Sequence, residues 1–167
     1  GVKTIIYTDT IQTAFMLLSL VGVVIILARF LHLDFGGIVK AISDSNYSKV
    51  FFWTEYQDKR FFFRQFLSGA FIAITMTGLD QDLMQKNLSC KNIREAQKNM
   101  FWFSLSLIPV NILFLVVGAM LYIFADQTGF AIPANSDMLF PAIATLDTMP
   151  LFFVIIFTIG LISATFA

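Results

Sequence analysis

Few side chains in this sequence of 167 residues could do chemistry, and they are scattered. Asp80 and Asp82 form the closest carboxylate pair. Residues two apart do not share a helix face, and no histidine or third ligand stands nearby, so capping and solvation account for both. Thr75 and Thr77 place two hydroxyls in an apolar stretch ahead of Gly78. Such hydroxyls either meet a ligand or bond back to their own helix. Asp9 opens a long uncharged run, where a helix dipole would favour its charge. His32 is the sole histidine and Cys90 the sole cysteine. That excludes a disulfide framework, a CxxC metal cluster and a His-rich zinc site. With no HExxH motif and no carboxylate pair inside an apolar run, the sequence does not read as an enzyme.

The elements that hold these residues are apolar. Hydrophobic residues make up 57% of the chain and charged residues 13%, with 20 Phe and 7 Met. Soluble domains average about 25% charged residues. A globule of this size cannot bury so much apolar surface, which leaves an integral membrane protein. Eleven basic against eleven acidic residues give no net charge, which argues against a nucleic-acid partner.

Gaps between charges measure the spans. Thr10 to Ala28 is uncharged over 19 residues, about 28 Å of helix and close to a bilayer core. Further uncharged runs cover 15 residues between Arg64 and Asp80, 27 between Lys98 and Asp126, and the 20 after Asp147. An all-α transmembrane chain is predicted, with spans at about 5–31, 61–80, 99–125 and 148–167 or beyond. Gly1 is no initiator and the last run lacks a polar anchor, so an internal piece of a larger membrane protein is expected.

The loops set the orientation. Residues 126–147 carry Asp and no Lys or Arg, whereas residues 81–98 hold Lys86, Lys91, Arg94 and Lys98. The positive-inside rule puts 81–98 in the cytoplasm and 126–147 outside. Loop 32–60 must then lie outside, although its Lys40, Lys49, Lys59 and Arg60 oppose that placement. A short interfacial helix is expected within it, with Trp53 and Tyr56 at the headgroup level. Asn46-Tyr47-Ser48 matches a glycosylation acceptor, a common tripeptide.

The second span is the unusual one. Fifteen uncharged residues fall short of the roughly 20 a crossing needs, and Gly69 and Gly78 interrupt it. A short, Gly-interrupted span points to a broken helix at a transporter binding site. The alternative is a continuous helix extended by Phe61–Phe63, its glycines serving helix packing.

Four segments, in order, resemble the sodium:solute symporter family, whose members carry sugars, proline, pantothenate and iodide. YTDTIQ at Tyr7–Gln12 is similar to the "W-T-D-x-x-Q" opening of one of its helices. Gly78–Met100 resembles its cytoplasmic signature, with Gly78, Gln81, Gln85, Leu88, Lys91, Ala96, Gln97 and Lys98 in register and Lys86 where Arg is usual. Ser136–Ala144 resembles an external "D-x-x-F-P" segment, and Gly160–Ala167 the start of a small-residue helix that carries sodium.

The resemblance implies four spans of a five-plus-five inverted-repeat transporter fold, core helices five to eight. It implies sodium-coupled symport of a small organic solute across the cytoplasmic membrane, in bacteria the inner one, with the remaining helices of the transporter and the lipid bilayer as partners. Thr75, Met76, Thr77 and Gly78 would face the solute. Sugar carriers place Asn and aromatic residues there, so this chain points away from a sugar. Asp9 would lie on the inner cation path. Sodium would be held by the Ala164 carbonyl and at the position of Ala167, where the family has a hydroxyl; Ser163 and Thr165 are the fallback donors. The reading of a different class is a channel or non-transporting membrane subunit with a re-entrant second span.

Overall fold

The computed structural model describes residues 2–49, 51–54 and 56–166, which are mostly helical, with no strand among them. Seven α-helices follow in order: α1 Val2–Phe30, α2 Phe35–Asp44, α3 Phe62–Leu79, α4 Gln81–Leu88, α5 Ile93–Thr128, α6 Leu139–Ala144 and α7 Leu151–Phe166. Two are long and apolar enough to cross a membrane, Ile6–Phe30 in α1 and all of α5. Phe62–Met76 and Leu151–Thr165 are shorter apolar helices. The chain divides into two compact units: Gly1–Ser48 with Ile108–Ala167, and Lys49–Leu107.

The first unit has a dry core. Val23 and Leu27 of α1, Met120 and Phe124 of α5, Ile143 of α6 and Phe153 of α7 are all less than 2% exposed. Small residues bring α1 and α7 together. A Cβ placed on Gly160 would lie 3.0 Å from the Ser19 Cβ, and one on Gly22 would lie 3.0 Å from Ile156. As the α1 number rises from 19 to 22, its partner in α7 falls from 160 to 156, so the two helices run antiparallel. Close backbone approach through small residues is how apolar helices associate where lipid removes the hydrophobic drive.

Backbone chemistry sets the helix ends. Arg29 stands in the last turn of α1, where the dipole favours a cation. His32 then takes φ 53°, and the Leu33 and His32 amides donate to the Ala28 and Arg29 carbonyls at 2.8 and 3.2 Å. This is the two-bond closure usually built on glycine. The backbone conformation of His32 is what turns the chain. Two residues on, Asp34 caps α2 by accepting from the Gly37 amide at 2.7 Å. Ile38 packs against the core, while Phe35 and Val39 are exposed. The helix expected in loop 32–60 is therefore α2, and Trp53 and Tyr56 lie outside any helix.

Beyond α2, Asn46–Ser48 forms a 3₁₀ turn. Tyr47 stacks on Tyr122 of α5 with ring centres 5.1 Å apart, and its hydroxyl donates to an Asp126 carboxylate oxygen at 3.1 Å. Partial burial first, and the bond to Asp126 second, raise the Tyr47 phenol above its usual 10.0. Loop 126–147 is also built rather than merely solvated. Gly129 (φ 68°) ends α5, Asn135 caps a 3₁₀ turn at Ser136–Met138, and α6 buries Leu139, Ile143 and Ala144.

In the second unit, α3 is one uninterrupted helix of 18 residues through Gly69, with Gly78 in its last turn. This corrects the broken-helix expectation. A glycine costs about 1 kcal/mol against alanine inside a helix, too little to break one unaided. Among the described residues nothing lies within 4 Å of where a Gly69 Cβ would be. Loop 81–98 is largely helical: α4 and the first turns of α5 occupy most of it. Asn92 makes the difference, accepting from the Glu95 amide at 2.9 Å and starting α5 six residues before the uncharged run. Asn87 ties α4 to α5, donating to the Met100 sulfur at 3.1 Å and accepting from Asn99 at 3.4 Å. Pro109 lies inside α5, two residues past Leu107, where the units divide.

Candidate functional site

Ala164, Ser163 and Thr165, read as sodium ligands, lie on α7. Ala164 is exposed and lines a cavity of about 180 Å³ between α1 and α7, with Met16, Ser19, Val23, Ile156 and Gly160 among its walls. Those walls are almost wholly apolar. The Ser19 hydroxyl donates to the Phe15 carbonyl of its own helix at 2.8 Å. Such a cavity offers a hard cation, which prefers oxygen ligands, very little. Of the fallback donors, Ser163 is buried, whereas Thr165 is exposed and donates to the Leu161 carbonyl at 2.8 Å. Ala167 lies outside the described residues.

Asp9 is half-buried and sits in the body of α1, seven residues past its first residue. The N-terminal dipole acts over the first turn, so it does not account for this charge. One turn on is a residue the sequence reading did not single out. The Gln12 side-chain oxygen Oε1 is buried and meets no hydrogen-bond partner among the described residues. An unsatisfied buried acceptor costs roughly 1–3 kcal/mol. Positions 9 and 12 are three apart and neighbours on one helix face, so two hard oxygen donors share a side of α1. Met16, at the cavity wall, is four residues beyond Gln12 and seven beyond Asp9, about 6 and 10 Å along the axis. The oxygen-bearing stretch of α1 and the apolar cavity are thus successive levels of one helix. The only sequence signal for Gln12 was its place as the last residue of YTDTIQ.

The residues read as solute ligands lie on α3, in the other unit. The Thr75 hydroxyl bonds back to its own helix, donating toward the Phe71 and Ile72 carbonyls at 3.0 and 2.9 Å. Its lone pairs remain available. Met76 is 61% exposed, and Gly78 is exposed beside it. The Thr77 side chain lies outside the described residues. Asp80 closes α3, its amide donating to the Met76 carbonyl at 3.1 Å. Among the described residues no three His, Cys, Asp or Glu gather as a metal site.

Comparison with known protein families, with characterised proteins and with solved structures returned no match.

Proposed function

We propose that these helices serve sodium-coupled symport of a small organic solute across a cytoplasmic membrane, as the four family-like segments imply. The observation that carries the reading is the buried Gln12 oxygen one turn from Asp9, which meets no hydrogen-bond partner among the described residues. A carboxylate and an amide oxygen on one helix face are hard donors of the kind sodium takes. Placed within an apolar helix, they mark an ion path more readily than a structural contact. Asp9 and Gln12 would hold the cation on α1, with Ser163 as the inward-facing hydroxyl of α7. Thr75, Met76 and Gly78 form the exposed end of α3 that a solute could reach. Sodium would shift the protein toward the state that accepts solute, in proportion to its preference for that state.

Two measurements test this. In proteoliposomes holding the whole transporter to which these helices would belong, an inward sodium gradient should drive concentrative uptake of a substrate found by screening amino acids, carboxylates and vitamins. Independently of the solute, sodium should raise the unfolding midpoint relative to choline, by about 1.4 kcal/mol at ten times its dissociation constant. Gln12→Leu should remove that sodium effect while the variant folds at least as stably in choline. A Gln12→Leu protein that responds to sodium like the parent would refute the cation reading. A uniform helix without breaks in α3 gives no support to a re-entrant pore element.

A further inference from the structure

The start of α3 carries a feature that symport does not use. Phe51 stacks on Trp53 (ring centres 5.6 Å apart), Trp53 packs on Phe62 (4.3 Å), and Phe62 stacks on Phe66 (5.8 Å). The Phe62 amide donates to the Phe52 carbonyl at 3.0 Å and closes the base of the loop between them. At its tip the Arg60 guanidinium donates to both Asp58 oxygens, the shorter contact being 2.8 Å, and the Arg60 amide joins them. That guanidinium holds the Asp58 carboxyl below its usual 3.8. The loop is therefore fixed, yet its rings are not hidden. Phe51, Trp53 and Phe63 are each 54% exposed and Phe66 is 60% exposed.

Cations ring these aromatics. The Lys49 ammonium and the Arg60 guanidinium lie 4.8 and 4.4 Å from the centre of the Phe52 ring. Lys59 and Arg64 are exposed on the same stretch. From Lys49 to Arg64 four cations face two acids, Glu55 and Asp58, a surplus of two positive charges. The patch leads straight into α3, whose described side chains are exposed from Phe63 onward. Aromatic rings at the mouth of an apolar helix sit at the headgroup level of a bilayer. Cations beside them sit at the height of lipid phosphates and gain most where those lipids carry net negative charge. We infer that this aromatic–basic patch binds anionic phospholipid headgroups and selects them over zwitterionic ones. It also supplies a reason for Lys49, Lys59 and Arg60 in a loop that the positive-inside rule places outside. The inference rests on the chain lying in a bilayer and not on what it transports.

The test uses Trp53 as its own reporter. The full chain carrying Trp102→Phe, so that Trp53 is the only tryptophan, is reconstituted in phosphatidylcholine. Brominated phosphatidylglycerol or brominated phosphatidylcholine is added at equal mole fraction, and fluorescence quenching gives the relative association constant of the two lipids. One cation near an anionic surface is worth about five-fold, so phosphatidylglycerol should be preferred by at least about that factor. Lys59→Gln with Arg64→Gln removes the surplus of two and should bring the ratio to about one, with quenching by the brominated phosphatidylcholine unchanged. Raising the salt to 1 M should do the same to the parent. Should Trp102→Phe not fold, the difference between the native chain and its Trp53→Phe variant gives the same ratio. Equal quenching by both lipids in the parent overturns the lipid preference alone. No quenching by either lipid overturns the bilayer placement of the ring as well.

Discussion

The α1–α7 contact makes a prediction whose sign depends on a neighbour. Gly160→Ala adds a methyl 3.0 Å from the Ser19 Cβ and 3.4 Å from its hydroxyl oxygen. Neither is the far end of a flexible chain, so the helices must part by a few tenths of an ångström. Overpacking of this kind costs about 1–3 kcal/mol. The same change gains about 1 kcal/mol of helix propensity, for a net loss of roughly 0–2 kcal/mol. Ser19→Gly removes both atoms in the way. In that background Gly160→Ala keeps only the propensity gain and should stabilise by about 1 kcal/mol. The lost Ser19 bond to Phe15 is common to both arms and cancels. The four chains are unfolded by SDS in mixed micelles and followed by far-UV circular dichroism. The coupling between the two positions should be about 1–3 kcal/mol. If Gly160→Ala has the same effect in both backgrounds within about 0.5 kcal/mol, the two helices do not touch at these residues.

Other expectations are independent of that seam. Gly37→Ala sets a Cβ 2.8 Å from the Asp34 oxygen that caps α2; it should cost about 0.5–2 kcal/mol and appear as faster hydrogen exchange at the amide of residue 37, the one that donates to that oxygen. Tyr47→Phe should lose about 0.5–1.5 kcal/mol with the bond to Asp126. Because the folded Tyr47 phenol lies above its usual 10.0, its contribution is complete below pH 10 and disappears as pH rises through the folded value. A phenolate absorbance titration of the parent minus Tyr47→Phe should therefore place this tyrosine higher than its usual value, and a midpoint at or below 10 would remove the bond from the account. For orientation, native Cys90 should react with an impermeant maleimide only after permeabilisation, while Ser136→Cys in a Cys90→Ser background should react on intact cells; the reverse pattern inverts the topology.

The long uncharged runs made α1 and α5 legible, because hydropathy over some 20 residues reports a spanning helix directly. Their ends were less so. Charge measures where lipid stops and not where a helix stops, so α5 begins at Ile93 on the Asn92 cap, within a segment read as loop. Gly69 and Gly78 suggested a break in α3 because glycine lowers helix propensity; that penalty is spread along an otherwise favourable helix, and the chain stays helical. His32 hid its function since nothing in a sequence marks which residue will take a positive φ. Among candidate site residues, Asp9 was visible as a lone charge at the start of an apolar run. Gln12 was not, because one amide in such a run acquires meaning only when its oxygen is found buried with no donor among the described residues. The sequence left open whether the Thr75 hydroxyl bonds back to its helix; in the fold it does, as does that of Thr165.

The unbroken course of α3 has a consequence for the membrane around it. Its uncharged stretch of 15 residues is about 22 Å long as a helix, against a hydrocarbon core of about 30 Å. A broken helix could have spanned more distance with extended backbone at its centre, but a continuous one cannot stretch. Were α3 to cross a bilayer as the sequence reading expects, the bilayer would have to dimple by several ångströms there, at a fraction of a kcal/mol per ångström, whereas α1, with a longer apolar run, would ask for no such thinning. In that case each of the two helices would ask for its own thickness of lipid. In a cell with membranes of unequal thickness it should accumulate in the thinner one, and in a uniform membrane it should gather shorter-tailed lipids along one flank.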